Sequence, residues 1–404
     1  MAVDTPATIA IVGAGPIGLE AALYARFLGY DVRVFEQDKI ASHVLRCGHA
    51  QMFTPFRSNS STLGLAALHA QDESYQPPQP EDVLTAREWV ERYLLPVAKT
   101  DLLDENIQAG CRVVSIGRPD SVKTLDPAND DRADQPFRIL YTDKDDEEQI
   151  ETAEVVIDTS GVLGQPNWCG RGGIPARGER GLRSRIEFSL PDVLGRERAH
   201  YADRHTLIIG EGTSAAMTVT ALSQLGQEAP DTHITWVTRA AFDKVGPLAI
   251  SSEVPSAQQA LADEANRLAC GGHPCVSWLG RRSLEAIHYD ESAHTFHVTL
   301  DGDDKALRFD RVVADVGHRP DLSIFRELHV ETCLANETVR GENSDGPQKL
   351  ILAEPDFYVL GAKSAGRHSP FLYATGLEQI RQLFSIIGDR VDLDLYATAQ
   401  NLPR

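Results

Sequence analysis

The sequence predicts an α/β fold made of two related units, and two observations predict it. An apolar run at residues 8–12 stops at Gly13-Ala14-Gly15-Pro16-Ile17-Gly18, and another at 206–209 stops at Gly210-Glu211-Gly212-Thr213-Ser214-Ala215. Each glycine turn opens a helical pattern, each helix is followed by a second short strand, and each half later shows a hairpin leading into a matched apolar segment. That repetition implies two Rossmann-like, three-layer units with parallel sheets, the second inserted in sequence into the first.

The elements follow in order. After the strand at 8–12, Ile17, Ala21, Tyr24 and Leu28 recur at spacings of four, three and four, which is one face of a helix. Residues 31–35 read as the next strand, 137–141 with Ile150 as a hairpin, and 155–161 as a strand ending in Asp-Thr-Ser-Gly. In the second half the same roles fall to 206–209, 233–237, a hairpin of 295–300 with 307–309, and 312–317. Residues 77–80, 126–135, 143–148 and 336–348 read as surface loops or hairpin tips, and the Gly/Pro-containing segment 164–205 as an irregular connection.

Composition bounds the function. The 404 residues are enough for two or three domains, and 39 Lys+Arg against 59 Asp+Glu give a formal charge of −20. Such a chain is repelled by phosphate backbones and anionic lipid, so no nucleic-acid or membrane partner is expected. No apolar run approaches the roughly 18 residues of a membrane span, and the N-terminus lacks a basic, apolar leader, so the expected location is cytoplasmic. Six scattered cysteines do not suggest a disulfide framework.

The two turns carry the chemistry. Gly13 permits a tight turn, Gly15 lets a pyrophosphate approach the backbone, and Gly18 allows close helix–strand packing. The helix N-terminus offers N–H groups and a positive dipole end to the pyrophosphate, and Glu36 closes the next strand where a ribose hydroxyl would donate to it. In the second turn Gly210, Gly212 and Ala215 replace the three glycines, and the next strand ends in Thr238-Arg239. A guanidinium there pairs with a 2′-phosphate that a carboxylate would repel, which favours NADPH over NADH.

Two such turns in one chain resemble the two-dinucleotide-binding-domain flavoproteins, in which the first unit holds FAD and the inserted one NAD(P)H. Residues 157–161 and Ala314-Asp-Val-Gly-His-Arg-Pro320 are similar to that family's two crossing points, and Phe357-Tyr-Val-Leu-Gly361 with a helix starting near 371–375 to its final signature. Within the family the chain looks most like the flavin-containing and N-hydroxylating monooxygenases, on the stretch 43–57 with Asn59 and on Trp236-Val-Thr-Arg239. The resemblance implies FAD contacts from Gly13, Gly15, Pro16, Ile17, Gly18, Glu36, Gln37, Arg46, Val113, Ser160, Gly161, Gly361 and Thr375. It implies NADPH contacts from Gly210, Gly212, Thr213, Ser214, Ala215, Arg239 and Gly317, and places Asn59 or Gln51 beside the reacting flavin as candidate catalytic residues. Gly361-Ala362-Lys363 departs from the family's Gly-Asp pair, and 164–205 lacks the F-x-G-x-x-x-H-S-x-x-[YF] fingerprint.

Other constellations are set aside. Cys47 has no partner at redox spacing, and Cys270, His273 and Cys275 read as a Gly/Pro turn, with no metal expected. His318 and His368 lie in segments expected near the cofactors; Trp89 and Trp168 read as core or pocket wall.

The expected organisation is a FAD-binding domain from 1–165 and 315–404, a connection at 166–205 and an NADPH-binding domain at 206–314. The expected function is an FAD-dependent, NADPH-using oxidoreductase, first a monooxygenase whose flavin C4a-hydroperoxide oxygenates a small N- or S-containing nucleophile, with O2 and that small molecule as partners. The alternatives are an NAD(P)H-dependent flavin reductase or dehydrogenase with a non-oxygen acceptor, which the missing fingerprint favours, and a non-catalytic, FAD-carrying redox sensor.

Overall fold

A computed structural model describes residues 3–124, 130–240, 246–249, 254–342, 346–367 and 371–400. In chain order it begins with β1 (Thr8–Val12), α1 (Pro16–Phe27), β2 (Asp31–Glu36), α2 (Ser42–Arg46), α3 (Thr62–Gln71) and a helical stretch at 86–98. Next come β3 (Ile107–Ala109), β4 (Arg112–Gly117), β5 (Phe137–Thr142), β6 (Glu148–Ala153) and β7 (Val155–Asp158). The second half holds β8 (His205–Ile209), α4 (Thr213–Leu225), β9 (His233–Thr238), α5 (Ser256–Cys270) and β10 (Val276–Gly280). It continues with β11 (Leu284–Asp290), β12 (Thr295–Leu300), β13 (Leu307–Phe309) and β14 (Arg311–Ala314). The last part carries β15 (Glu331–Thr332), β16 (Val339–Arg340), β17 (Phe357–Val359), α6 (Tyr373–Ile387) and α7 (Leu395–Gln400).

The chain divides into two compact units, Met1–Gln165 with Arg319–Arg404, and Pro166–His318. In the first, a five-stranded parallel sheet runs in the order β17-β7-β1-β2-β3, beside a three-stranded antiparallel sheet β4-β5-β6. In the second, the parallel sheet is β10-β9-β8-β14 and the antiparallel one β11-β12-β13. The expected α/β class and both hairpins are therefore present. Residues 166–205, expected as a connection, belong to the second unit: Glu187 bridges to Val313, Arg177 to Ala286, and Ile186, Val193 and Tyr201 are buried.

Strand alternation explains the layers. Successive side chains of a strand point to opposite faces. In the first unit Ile9 and Ile11 of β1 pack with α1 and α6, while Ala10 and Val12 pack toward Val113 and Phe137 of the antiparallel sheet. The second unit repeats the scheme, with Ile208 of β8 among the helix residues Ala216 and Val219, and Leu207 and Ile209 against Val298 and Phe309. Each parallel sheet is thus covered on both faces, which is why its strands read as continuous apolar runs.

One polar stretch contradicts its expectation. Of 126–135, read as a surface loop, residues 126–129 lie outside the described residues, but Asp130–Ala133 is helical and the Arg132 side chain is fully buried. Arg132 Nη2 and Arg118 Nε both donate to Glu354, at 2.7 and 3.0 Å, and all three side chains are inaccessible to solvent. Charge patterning cannot distinguish a solvated arginine from one whose carboxylate arrives more than 200 residues later.

Removing one partner from a buried ion cluster leaves uncompensated charge. Glu354→Gln is expected to cost about 3–5 kcal/mol in urea denaturation. Arg267→Ala, which removes an exposed helix-surface pair with Glu264, is expected to leave the urea midpoint unchanged.

Candidate functional site

Register brings the sequence-predicted residues of the first unit to one end of its sheet. Val12 stands opposite Phe35 on β2 and Asp158 on β7, and Asp158 opposite Val359 on β17. Gly13, Glu36, Thr159–Gly161 and Gly361 therefore emerge together at the carboxyl ends of the strands, where open α/β sheets bind ligands. Gly13 takes φ +100° and its N–H donates to Phe35 O at 2.7 Å. A Cβ on Gly18 would lie 1.9 Å from Gly13 O, and one on Gly13 would lie 3.0 Å from Ser160 Cα, whereas nothing approaches Gly15 within 4 Å. The turn is closed on the protein side and open at Gly15. Gly15 caps α1 without a side-chain hydrogen bond, and the first turn, with Pro16 and Ile17, holds no acidic residue. These features fit a dinucleotide pyrophosphate: a cradle with backbone N–H groups presented and no side chain in the way.

Glu36 is buried, with Oε2 accepting from Ala14 N at 2.8 Å and Oε1 from Asp38 N at 2.9 Å. Burial raises its carboxyl above the usual range, opposed by those backbone bonds. Gln37 and Arg46 are exposed nearby in the chain, and Val113 is buried on β4 at a bulge. Ser160 is held from two sides: its Oγ donates to Asp158 Oδ1 at 2.7 Å and accepts from Lys363 Nζ at 2.9 Å. Lys363 also forms an ion pair with Asp158 Oδ2 at 2.5 Å, both side chains being fully buried. The sequence registers Lys363 only as a departure from a family pattern, yet it organises the crossing loop. Gly161 and Gly361 take φ +69° and +73°, and Gly361 N donates to Gln379 Oε1 on α6. Thr375 is exposed in the first turn of α6, a helix with no side-chain cap.

The second unit repeats the geometry. Ile209 stands opposite Val237 and Ala314, and Val237 opposite Leu279. This aligns Gly210, Arg239, Asp315 and Arg282 at one end, where they line a cavity with Trp168, Glu211, Gly212 and Gly317. A Cβ on Gly210 would lie 2.1 Å from Asp315 O, and nothing approaches Gly212. Gly212 caps α4 without a side-chain bond; Ser214 is exposed, Ala215 is buried, and Thr213 Oγ1 accepts from Gln258 Nε2. Arg239 is exposed and pairs with Glu211, a residue within the turn whose role the glycine pattern conceals.

Asp315 is buried, and Thr218 Oγ1 donates to its Oδ2 at 2.8 Å. Burial pushes its carboxyl up to about 7, with the Thr218 bond opposing and Glu187 reinforcing.

The two candidate catalytic side chains have ordinary hydrogen-bond partners, Asn59 within its own segment and Gln51 at Val83. Asn59 is buried, and its Nδ2 lies 2.9 Å from Thr54 Oγ1 and from Pro55 O. The Asn59 backbone carbonyl accepts from Trp89 Nε1, and Trp89 belongs to the core. Gln51 is exposed, its Nε2 3.4 Å from Val83 O. No disulfide joins any of the six cysteines, and Cys275 Sγ lies 3.2 Å from His273 Nδ1. His318 is half-buried in the second unit, and His368 lies outside the described residues. Among the described residues no helix is long and apolar enough to cross a membrane.

A family model described as pyridine nucleotide-disulphide oxidoreductase matches residues 8–343. No curated protein sequence matches. Among solved structures, the bacillithiol disulfide reductase Bdr from Bacillus cereus superposes with a TM-score of 0.69 at 17% identity, over 95% of this chain and 99% of that one. The FAD-bound cadaverine monooxygenase DfoA of desferrioxamine biosynthesis from Erwinia amylovora gives 0.64 at 17% identity, over 96% and 95%. The ornithine N-hydroxylase of Kutzneria sp. 744, described with reduced FAD, NADP+ and L-ornithine, gives 0.63 at 16% identity, over 95% and 99%.

Two measurements test the electrostatics. A carboxyl raised from 3.8 to about 7 by folding keeps its proton where the unfolded chain has lost it, so this group's contribution falls as pH rises from about 4 and the loss is complete above about 7. Asp315→Asn keeps an acceptor for Thr218 and is expected to flatten that decline, gaining at most on the order of 4 kcal/mol at pH 8 relative to pH 4 in melting curves. Lys363→Met strands Asp158 and is expected to destabilise by about 3–5 kcal/mol, with much of the loss recovered by adding Asp158→Asn.

Proposed function

The chain belongs to the pyridine nucleotide-disulphide oxidoreductase family, and from that premise we propose that it is an FAD-dependent, NADPH-using monooxygenase acting on a small amine or thioether. The observation that carries the reading is the pairing of two matched strand-end cradles with different second-strand ends, a buried Glu36 in one and an exposed Arg239 in the other. A carboxylate at that position suits a ribose hydroxyl, and a guanidinium suits a 2′-phosphate. The first unit is the FAD domain and the second the NADPH domain.

Bound FAD supplies the hydride acceptor and, once reduced, the electrons that activate O2. The chain's own residues position and compensate charge. The backbone at Gly15 and the N-terminus of α1 receive the pyrophosphate, Glu36 accepts from the ribose, and the Lys363–Asp158 pair fixes Ser160 beside the turn. Gly361, through its bond to Gln379, ties the end of β17 to α6, whose uncapped N-terminus offers further N–H donors. In the second unit Gly212, Thr213 and the N-terminus of α4 take the pyrophosphate of NADPH, with Arg239 at its 2′-phosphate.

Oxygen as acceptor is supported by the thiols. In the first unit Cys111 is buried with its thiol raised by burial, Cys333 sits beside the small β15–β16 ribbon, and Cys47 follows α2. Cys47, Cys111 and Cys333 lie far apart in sequence, so none has a partner at the Cys-x-x-Cys or Cys-x4-Cys spacing of a dithiol couple that passes electrons to a disulfide substrate. The overall reaction balances as NADPH, a proton, O2 and substrate giving NADP+, water and oxygenated substrate.

The test mixes the FAD-loaded protein anaerobically with NADPH and then with O2 and a panel of amines and thioethers. Bleaching of the flavin followed by one oxygenated product per NADPH is the expected result. Bleaching with peroxide or a reduced alternative acceptor as the sole product replaces this reading with a reductase. No bleaching at all leaves only a non-catalytic FAD carrier.

A further inference from the structure

The adenosine end of the second unit contains a carboxylate that the nucleotide-binding pattern does not require. Glu211 stands between Gly210 and Gly212, and its Oε1 accepts from Arg239 Nη2 at 3.0 Å while its Oε2 accepts from Ala240 N at 2.8 Å. The backbone beneath it is fixed on both sides: Gly210 N donates to Val237 O and cannot carry a side chain, and Gly212 caps α4. The Glu211 side chain is 28% exposed against 62% for Arg239, so the carboxylate is the better-anchored member of the pair. Among the described residues the other cation lining this cavity is Arg282, compensated by Asp303 at 2.5 Å and Asp301 at 3.5 Å. Neither guanidinium is offered to a phosphate without a carboxylate beside it.

We propose that Glu211 is a specificity-determining residue that weakens the preference for a 2′-phosphate and admits NADH alongside NADPH. The proposal rests on the reading of this unit as the pyridine-nucleotide site. A 2′-phosphate reaching Arg239 has to displace the Glu211 carboxylate and then remain near it, a like-charge contact. A free 2′-hydroxyl meets no such cost and donates to the same carboxylate, which is the role Glu36 has from a different position in the first unit. Specificity here is a difference of two affinities, set by the repulsive element as much as by the attractive one. Exposed ion pairs are individually weak, so the gate modulates the choice and does not abolish either nucleotide.

The test titrates NADP+ and NAD+ into the full-length, FAD-loaded protein by calorimetry, a readout independent of turnover. The wild type is expected to bind both within about tenfold of each other. Glu211→Gln keeps an acceptor for Ala240 N and is expected to raise NADP+ affinity by about five- to tenfold while weakening NAD+ by about two- to threefold. Arg239→Gln is expected to lose NADP+ binding by more than about tenfold and to leave NAD+ nearly unchanged. A Glu211→Gln protein with the wild-type NADP+/NAD+ ratio, or with both affinities moved equally, overturns the gate and leaves the nucleotide site standing. A wild type that binds neither nucleotide overturns the site and the gate together.

Discussion

The constraint on which the rest of the molecule depends is the close approach of a glycine turn to the crossing segment beside it. At the first sheet the Gly13–Gly18 turn leaves no room for a Cβ on Gly18, and Gly13 lies against the backbone of Thr159 and Ser160. At the second, Gly210 lies against the Asp315 carbonyl more closely still. This approach is possible only because the parallel registers end β1, β2 and β7 level with one another, and β8, β9 and β14 likewise. Bringing strand ends together concentrates backbone N–H groups and leaves one open face, at Gly15 and at Gly212. The sites follow from the sheets.

Close packing at a strand end buries the side chains there, and each unit has a buried aspartate at the end of its crossing strand, Asp158 opposite Val12 and Asp315 one residue beyond the Ala314 that stands opposite Ile209. They resolve the buried charge differently. Asp158 is met by Lys363 and Ser160, a compensated pair that also fixes the loop. Among the described residues Asp315 is met by the Thr218 hydroxyl alone, with Glu187 reinforcing burial, and its carboxyl is pushed up to about 7. Neighbouring positions of the two crossing segments therefore hold a buried ion pair in one unit and, in the other, a carboxyl that burial raises to about 7. A buried carboxyl is either paired or has its proton affinity raised by burial, and this chain shows both outcomes.

How much of this the sequence reveals depends on the range of the interaction. The strands at 8–12 and 155–158 and both hairpins are legible because alternation and apolar runs are local signals. The glycine turns are legible because a positive φ or a forbidden Cβ leaves a glycine in the sequence. Lys363, Arg132 and Glu211 are opaque for a common reason: each is a charged residue whose meaning lies in a partner that the fold supplies. Arg132 in a polar stretch reads as solvated until Glu354 arrives, and Glu211 reads as a variable position between two glycines until the end of β9 brings Arg239 to it. Asn59 is a different case, since its amide partners Thr54 and Pro55 are near in sequence, but their backbone conformation has no sequence signature.

A net charge of −20 disfavours a phosphate ligand at long range, and the helix termini explain how such a chain still accommodates one. Elsewhere α3 is capped by Ser61 and the stretch at 86–89 by a Thr85–Glu88 capping box, each satisfying a terminal N–H with a side chain, while α2 and α5 carry no side-chain cap. At the strand ends, α1, α4 and α6 begin with Gly15, Gly212 and Leu372, none of which supplies a side-chain cap. Uncapped N–H groups and the positive end of the helix dipole attract an anion locally, over about one turn of helix, whatever the sign of the distant surface. Acidic side chains elsewhere are screened beyond roughly a Debye length. On the reading proposed for the second unit, the backbone takes the pyrophosphate, and a single carboxylate, Glu211, set beside a single arginine, Arg239, would then have leverage over which nucleotide is held.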